Sequence, residues 1–297
     1  MYTIVGIGEL LWDRLPEGKQ LGGAPANFAY HASLLGNQVG VLSRVGGDQL
    51  GDRALARLRE LQLPVEFIQT DETHATGTVA VQIDASGQAD FIITEAVAWD
   101  YLEFTPQWRT IAARADAICF GSLAQRSAVS RQTIRRFLEA TRTDALRIFD
   151  INLRPPFFTR EIILESFALA RLAKINHHEL AQLARMFELC GATETELARQ
   201  LLFEFALELV CITRGNRGSL LVSRSEAVEH TGFAVDVVDT IGAGDAFTAA
   251  LAFHYLNRAP LAVINRAANL MGATVAGHTG ATPAIARDIL ERVISGH

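Results

Sequence analysis

The sequence predicts an α/β protein, a mostly parallel sheet covered by helices on both faces and interrupted by a small antiparallel element. Three observations carry this. Apolar strand-like runs alternate with helical runs along most of the 297 residues, the pattern of successive parallel-strand units. Between residues 64 and 95 the rhythm fails, and three strand-like runs follow one another with no helix between them. The composition, 49% hydrophobic and 20% charged, supports a full core.

The elements follow in order. Residues 2 to 11, "YTIVGIGELL", read as a buried strand. "APANFAYHASLLG" has apolar positions at helical spacing and ends in Gly36, a suitable C-cap. "QVGVLSRVG" is the next strand, and "DQLGDRALARLRELQ" a helix with a solvated, charged face. The interrupted region holds "PVEFIQTD", "TGTVAVQID" and "ADFIITE", with "DASGQ" as a hairpin loop between the last two. Alternation then resumes through "AICFGSL", "SRQTIRRFLEATR", "RIFDINLR", "REIILESFALARL", "AKINH", "TELARQLLFEFA" and "LELVCITRG".

Charge and cysteine usage narrow the class of function. The formal net charge of −6 argues against a general nucleic-acid or anionic-membrane surface, which needs a basic stripe. The start of the chain carries Glu9 and Asp13 without a basic segment, and no apolar run is long enough for a membrane span, so a cytoplasmic location is expected. The three cysteines show no metal-ligand spacing; Cys119 and Cys211 read as reduced core residues.

In open parallel sheets ligands bind beyond the carboxyl ends of the strands. The residues there are Asp13, Ser122, Asn152 with Arg154, Asn176 with Glu179, and Thr213 with Gly215. Three motifs join them. In "IGAGDAF", Gly242, Ala243 and Gly244 open a helix whose free amides suit an anion, and Asp245 follows. Asp245 serves there either as a plain helix cap or as a base that takes an alcohol's proton during phosphoryl transfer. In "LGGAPANF", Gly22 and Gly23 admit a close ligand, and Asn27 offers both a donor and an acceptor to hydroxyls; a plain turn and helix start fits equally. "CITRGNRGSLL" is a hairpin loop or a phosphate cradle. The P-loop and HExxH patterns are absent, and "GIGELL" lacks the third glycine of a dinucleotide fingerprint, which disfavours a nicotinamide-dependent dehydrogenase.

Taken together, these residues resemble the ribokinase-like (PfkB) carbohydrate kinases, and within them the fructokinase-like branch. The first signature matches from Gly22 through Gly46 and the second from Asp239 through Ala252, with "FDINLR", "KINHHE" and "ITRGNRG" in order between them. The resemblance spans essentially the whole chain. It implies a ribokinase-like three-layer domain over residues 1–297, with a small antiparallel β lid formed mainly by residues 12–20 and 64–100 that also supports a homodimer.

The resemblance further implies an ATP-dependent sugar kinase acting on a primary hydroxyl of fructose or a similar hexose. Ribose, 2-keto-3-deoxygluconate or a nucleoside is the alternative substrate, and a non-catalytic sugar sensor on the same fold is the alternative of another class. By position, Asp245 matches the base and Gly242, Ala243 and Gly244 the anion hole. Asp13, Gly22, Gly23, Asn27 and Arg154 match the sugar side. Asn176, Thr213, Gly215, Gly218 and Asn269 match the nucleotide side. Glu179 matches a residue that holds Mg²⁺ through water, and Asp239 a ligand of a monovalent cation such as K⁺. Two departures stand out. Ile241 replaces the usual Thr and leaves that position only its backbone carbonyl for a cation. The segment "TEAVAWDYLE" carries none of the Arg common in fructokinases; its Trp99 reads as a core residue. The helix dipole is expected to favour the ionised form of Asp245 and to make it a weaker base.

Overall fold

The computed structural model describes residues 1–15, 18–83 and 89–296. The chain opens with β1 (Thr3–Ile7), the antiparallel pair β2 (Leu11–Leu15) and β3 (Gly18–Gly22), α1 (Ala24–Leu34) and β4 (Gln38–Gly46). Next come α2 (Gln49–Glu60), β5 (Ile68–Asp71), β6 (Gly77–Ile83) and β7 (Ala89–Ile93). Alternation resumes with α3 (Pro106–Ala112), β8 (Ala117–Phe120), α4 (Ala128–Glu139), β9 (Leu146–Asp150), α5 (Arg160–Leu169), β10 (Leu172–Asn176), α6 (His177–Met186), α7 (Glu194–Glu204) and β11 (Leu209–Thr213). The hairpin β12 (Ser219–Ser223) and β13 (Ala227–His230) precedes α8 (Ala243–Leu256), α9 (Leu261–Ala276) and α10 (Arg287–Ser295).

Nine strands form one sheet in the order β13-β12-β11-β10-β9-β8-β1-β4-β5. All neighbours are parallel except β11–β12 and β12–β13. Its strands alternate between two cores. Ile118, Phe149, Ile175 and Ile212 face the side covered by α3 to α7, while Cys119, Ile148, Leu172 and Cys211 face α1, α8 and α9. This two-residue period, apolar on both faces, is what a sheet covered on both sides requires. Helices α1 and α8 are buried nearly all round, as "APANFAYHA" and "AFTAALAF" dictate by carrying small and apolar residues on every face.

A second sheet has the order β3-β2-β6-β7. It consists of two antiparallel hairpins joined by a parallel β2–β6 pairing. Two sequence expectations change here. The run 2–11 is not one strand: it breaks after Ile7, and Leu11 starts the small sheet. "PVEFIQTD" does not join the small sheet either; Ile68–Asp71 pairs with β4 and ends the large one. A strand of four residues carries too little pattern to select its partner. The expected "DASGQ" loop lies outside the described residues. Asp48 ties the base of the small sheet to α2: it caps the helix by accepting from Gly51 N, and also accepts from the amide and hydroxyl of Thr76.

Cys119 and Cys211 are buried free thiols, as expected, and Cys190 is exposed. Among the described residues no helix is long and apolar enough to cross a membrane.

Candidate active site at the strand ends and the start of α8

The strand order lines up the carboxyl ends of β1, β8, β9, β10 and β11 along one edge of the large sheet. Above this edge α1 and α8 begin, and their first turns meet. Asn27 Nδ2 donates to Asp245 Oδ2 at 2.8 Å, joining residues 218 positions apart. Gly242 caps α8 in the left-handed conformation (φ 76°), and a Cβ there would lie 2.6 Å from the Ala281 Cα. Only glycine meets both demands. The backbone from 279 to 283 is in turn held by α1: His31 Nε2 donates to the Ala281 carbonyl at 2.8 Å, and the Tyr30 hydroxyl to the Pro283 carbonyl at 3.0 Å.

Of the three residues of the expected anion hole, Ala243 has its amide bonded within the protein. The Ala243 amide turns back to the Thr240 carbonyl at 3.3 Å. The Gly242, Gly244 and Asp245 amides have no hydrogen-bond partner among the described residues. The first turn of α8 thus presents orphan donors together with the dipole's positive end, the features an anion requires.

Asp245 is partly buried, and its carboxyl is pushed up to about 7, first by desolvation and next by the Asp150 carboxylate, with Glu9 adding to the rise. The Asn27 amide and the Lys174 ammonium pull the other way. The sequence expectation of a weaker base is therefore reversed. The dipole acts over one turn of helix, whereas desolvation and two further carboxylates act on the carboxyl together.

Sequence reasoning missed the groups beneath this turn. Lys174 and Asp150 are register partners on β10 and β9, and Lys174 Nζ lies 3.1 Å from Asp150 Oδ1. The Thr248 hydroxyl, one turn into α8, lies 3.0 Å from Asp150 Oδ2 and 2.9 Å from the Gly244 carbonyl. Glu9, just beyond β1, is buried, and burial pushes it to about 7; its Oε2 has no partner among the described residues. The available signal was a charged residue at the inward position of an apolar strand, as in "RIFD" and "LAKIN".

The expected sugar-side residues gather near β2 and β9. Asp13, on β2, lies across from Gln20, and its carboxyl packs so closely on Gly22 that a side chain there would collide with it. Desolvation raises Asp13 to about 6, and the charge of Arg154 lowers it; Arg154 acts on Glu9 in the same way. Gly23 caps α1, and a Cβ there would lie 2.5 Å from the Glu9 carbonyl. Asn27 turns its amide to Asp245, so one of its two N–H donors is used within the protein.

The expected nucleotide-side residues lie two strands further along. Asn176 and Thr213 are register partners at the ends of β10 and β11. Asn176 caps α6 through its Oδ1, while Glu179 Oε2 accepts from the Asn176 amide at 2.8 Å and Oε1 from the Leu153 amide at 2.9 Å. Glu179 is thus a buried capping residue whose oxygens each keep one lone pair. Gly215 and Gly218 form the β11–β12 turn. Asn269 is buried behind β12 and directs its amide to Ser219 Oγ at 2.7 Å and to Asn265. Asp239 joins two loops, accepting from the Ile241 amide at 2.9 Å and the Gly280 amide at 3.0 Å. Ser122 is structural, its hydroxyl 2.8 Å from the Ile151 carbonyl. Among the described residues no group of three or more His, Cys, Asp or Glu side chains could hold a metal ion.

The segment "TEAVAWDYLE", which carries no Arg of its own, packs against Arg126 from the turn before α4. Its guanidinium makes two 2.8 Å bonds to Asp100, donates to the Thr94 carbonyl, and lies 4.0 Å over the ring of the buried Trp99.

The chain is similar to known proteins over most of its length. A fructokinase from Salmonella typhimurium is 30% identical over 259 residues, covering 82% of this chain and 81% of the relative. The aminoimidazole riboside kinase of the same species is 28% identical over 98% of this chain and 94% of its own length. An uncharacterized sugar kinase from Pyrococcus horikoshii, solved in complex with ATP, superposes with a TM-score of 0.83 at 27% identity, over 98% of this chain and 99% of that one. The profile of the pfkB family carbohydrate kinases matches residues 17–287, a span that contains both glycine-rich segments and every strand end between them. On that match this chain, a phosphotransferase, belongs to the pfkB family of carbohydrate kinases.

Proposed function

We propose that this chain transfers the γ-phosphate of ATP to a primary hydroxyl of a fructose-like hexose, with Asp245 as the base. One observation carries the reading. A carboxyl poised near neutrality and the orphan amides of residues 244 and 245 share a single helical turn. The carboxylate accepts the hydroxyl proton as the oxygen attacks phosphorus, and the amides stabilise the charge on the migrating group. A negative side chain in an anion site is thus a division of labour.

Asp13 and Arg154 bind and orient the sugar, and Gly22 and Gly23 let it approach the backbone. Thr213, Gly215 and Gly218 cradle the nucleotide phosphates, with Asn269 beside the base. Asn176 and the spare lone pairs of Glu179 would hold Mg²⁺ through water, a fit for an ion that keeps most of its hydration, and the ion supplies positive charge to the phosphates. Asp239 would contribute to a monovalent-cation site. The small sheet acts as a lid that excludes water from the transfer. Its β7 edge exposes Ile92 (49% accessible), which supports a homodimer formed through the lid.

The relatives support this reading, the fructokinase for the hexose and the ATP-bound sugar kinase for the nucleotide. A nucleoside-like substrate is the second reading, favoured by the riboside kinase that matches nearly the whole chain. A coupled ADP-release assay over fructose, glucose, ribose, 2-keto-3-deoxygluconate and aminoimidazole riboside, with and without K⁺, separates them. Release with fructose supports the first. Release confined to the riboside replaces it with the second, and release with no acceptor at all excludes both.

A further inference from the structure

We propose that the buried Lys174–Asp150 pair is a positioning device for Asp245: the ammonium favours the ionised carboxylate, and Asp150, anchored by Thr248, fixes where that ammonium sits. The proposal rests on the reading of Asp245 as the base.

The geometry is specific. Lys174, midway along β10, and Asp150, at the end of β9, are register partners at the parity that faces α8. Both are buried, and a lysine is rarely so unless it is paired. A Cβ on Gly244 would lie 2.9 Å from Lys174 Nζ, so the ammonium sits against the first turn of α8, one residue from Asp245. Thr248 stands one turn further on the same helix and touches both Asp150 and the Gly244 carbonyl. The pair thereby ties the sheet edge to the anion-site turn through three side chains.

The other groups that act on Asp245 are Glu9 beyond β1 and Asn27 on α1; the Cys119 thiol on β8 shares the same field. Glu179, on α6, acts on Lys174. Two further carboxyls beside Asp245, Asp150 and Glu9, against one ammonium leave the cluster short of positive charge. Lys174 is the single cation among these described groups, and it opposes the effect of Asp150 and Glu9.

The two partners act on Asp245 with opposite sign, and this separates the proposal from a structural role. Lys174→Gln is expected to move the acid limb of kcat/KM up by about one pH unit, a roughly tenfold loss at pH 6 that shrinks above pH 8. Asp150→Asn is expected to move the same limb down, with faster turnover at pH 6 relative to the plateau. Opposite shifts support the proposal. Shifts in the same direction, or a loss equal at every pH, overturn it. Should Lys174→Gln fail to fold, Asp150→Asn decides alone: a downward shift supports the proposal, and no shift or an upward one overturns it. Titrating the Asp245 carboxyl by ¹³C NMR in the same proteins needs no substrate. Opposite NMR shifts in a protein that phosphorylates no sugar would remove the kinase reading and leave the coupling; unchanged NMR titrations in an active enzyme would do the reverse.

Discussion

Replacing Asp245 by Asn should stop turnover and, at alkaline pH, stabilise the fold. The folded chain raises this carboxyl from 3.8 to about 7. A tenfold change in proton affinity is worth about 1.4 kcal/mol, so ionising the group in place costs up to about 4 kcal/mol at pH well above 7. Water reaches one side of the residue, and half of that ceiling, roughly 2 kcal/mol, is the expected effect. The sign follows from linkage. Between pH 4 and 7 the folded state holds the Asp245 proton more tightly than the unfolded chain does. Wild-type stability therefore falls as pH rises through this window. Asn cannot ionise, and its side-chain oxygen still accepts from Asn27. The variant should match wild type near pH 4 and exceed it by about 2 kcal/mol at pH 8. Urea unfolding at fixed ionic strength from pH 4 to pH 9 measures the gap, and kcat should fall at least ~10² in the same protein. A variant less stable than wild type at pH 8, or a gap that does not change with pH, would refute the electrostatic account of the site.

Further outcomes follow from the same geometry. The raised carboxyl predicts that kcat/KM declines below about pH 7, where Asp245 takes up its proton; a profile flat down to pH 5 would contradict this. Gly242→Ala and Gly36→Ala both force a positive φ, but only the first meets a neighbour, 2.6 Å away, while Gly36 has nothing within 4 Å. Gly36→Ala should therefore cost about 1 kcal/mol, and Gly242→Ala about 1–3 kcal/mol more together with most of its activity; equal losses in urea would exclude the contact. Arg126→Leu strips the cation from Asp100, whose side chain is 6% exposed, and should cost about 3–5 kcal/mol, partly recovered by adding Asp100→Asn; thermal unfolding of the double-mutant cycle checks this.

Local periodicity carried most of the fold because the inner strands of the large sheet are buried on both faces and read as nearly uninterrupted apolar runs. What stayed hidden was pairing. Ile68–Asp71 looked like a companion of the two strands after it and instead extends β4, since four residues do not encode a partner. The site divides the same way. Asp245, Gly242, Asn27 and Asn176 stand in motifs that can be read one at a time. Lys174 and Asp150 lie 24 residues apart, each in a largely apolar strand, and become a pair only once β9 and β10 are in register. Arg126 reaches Asp100 across 26 residues, so its service to the segment before α3 cannot be read from that segment. The reversal at Asp245 has the same origin: the dipole belongs to the helix and is local, whereas the desolvation that outweighs it needs α1, β9 and β1 in place.

The most direct test of the central claim is acceptor-dependent phosphoryl transfer by wild type and by Asp245→Asn, followed together by ADP release and by ³¹P NMR of the product. The account predicts one phosphomonoester on a primary hydroxyl for each ADP formed by wild type. It predicts a variant that still binds sugar and ATP but turns over at least ~10² more slowly. Near-wild-type turnover by Asp245→Asn, or ADP release with no phosphorylated acceptor, would contradict it.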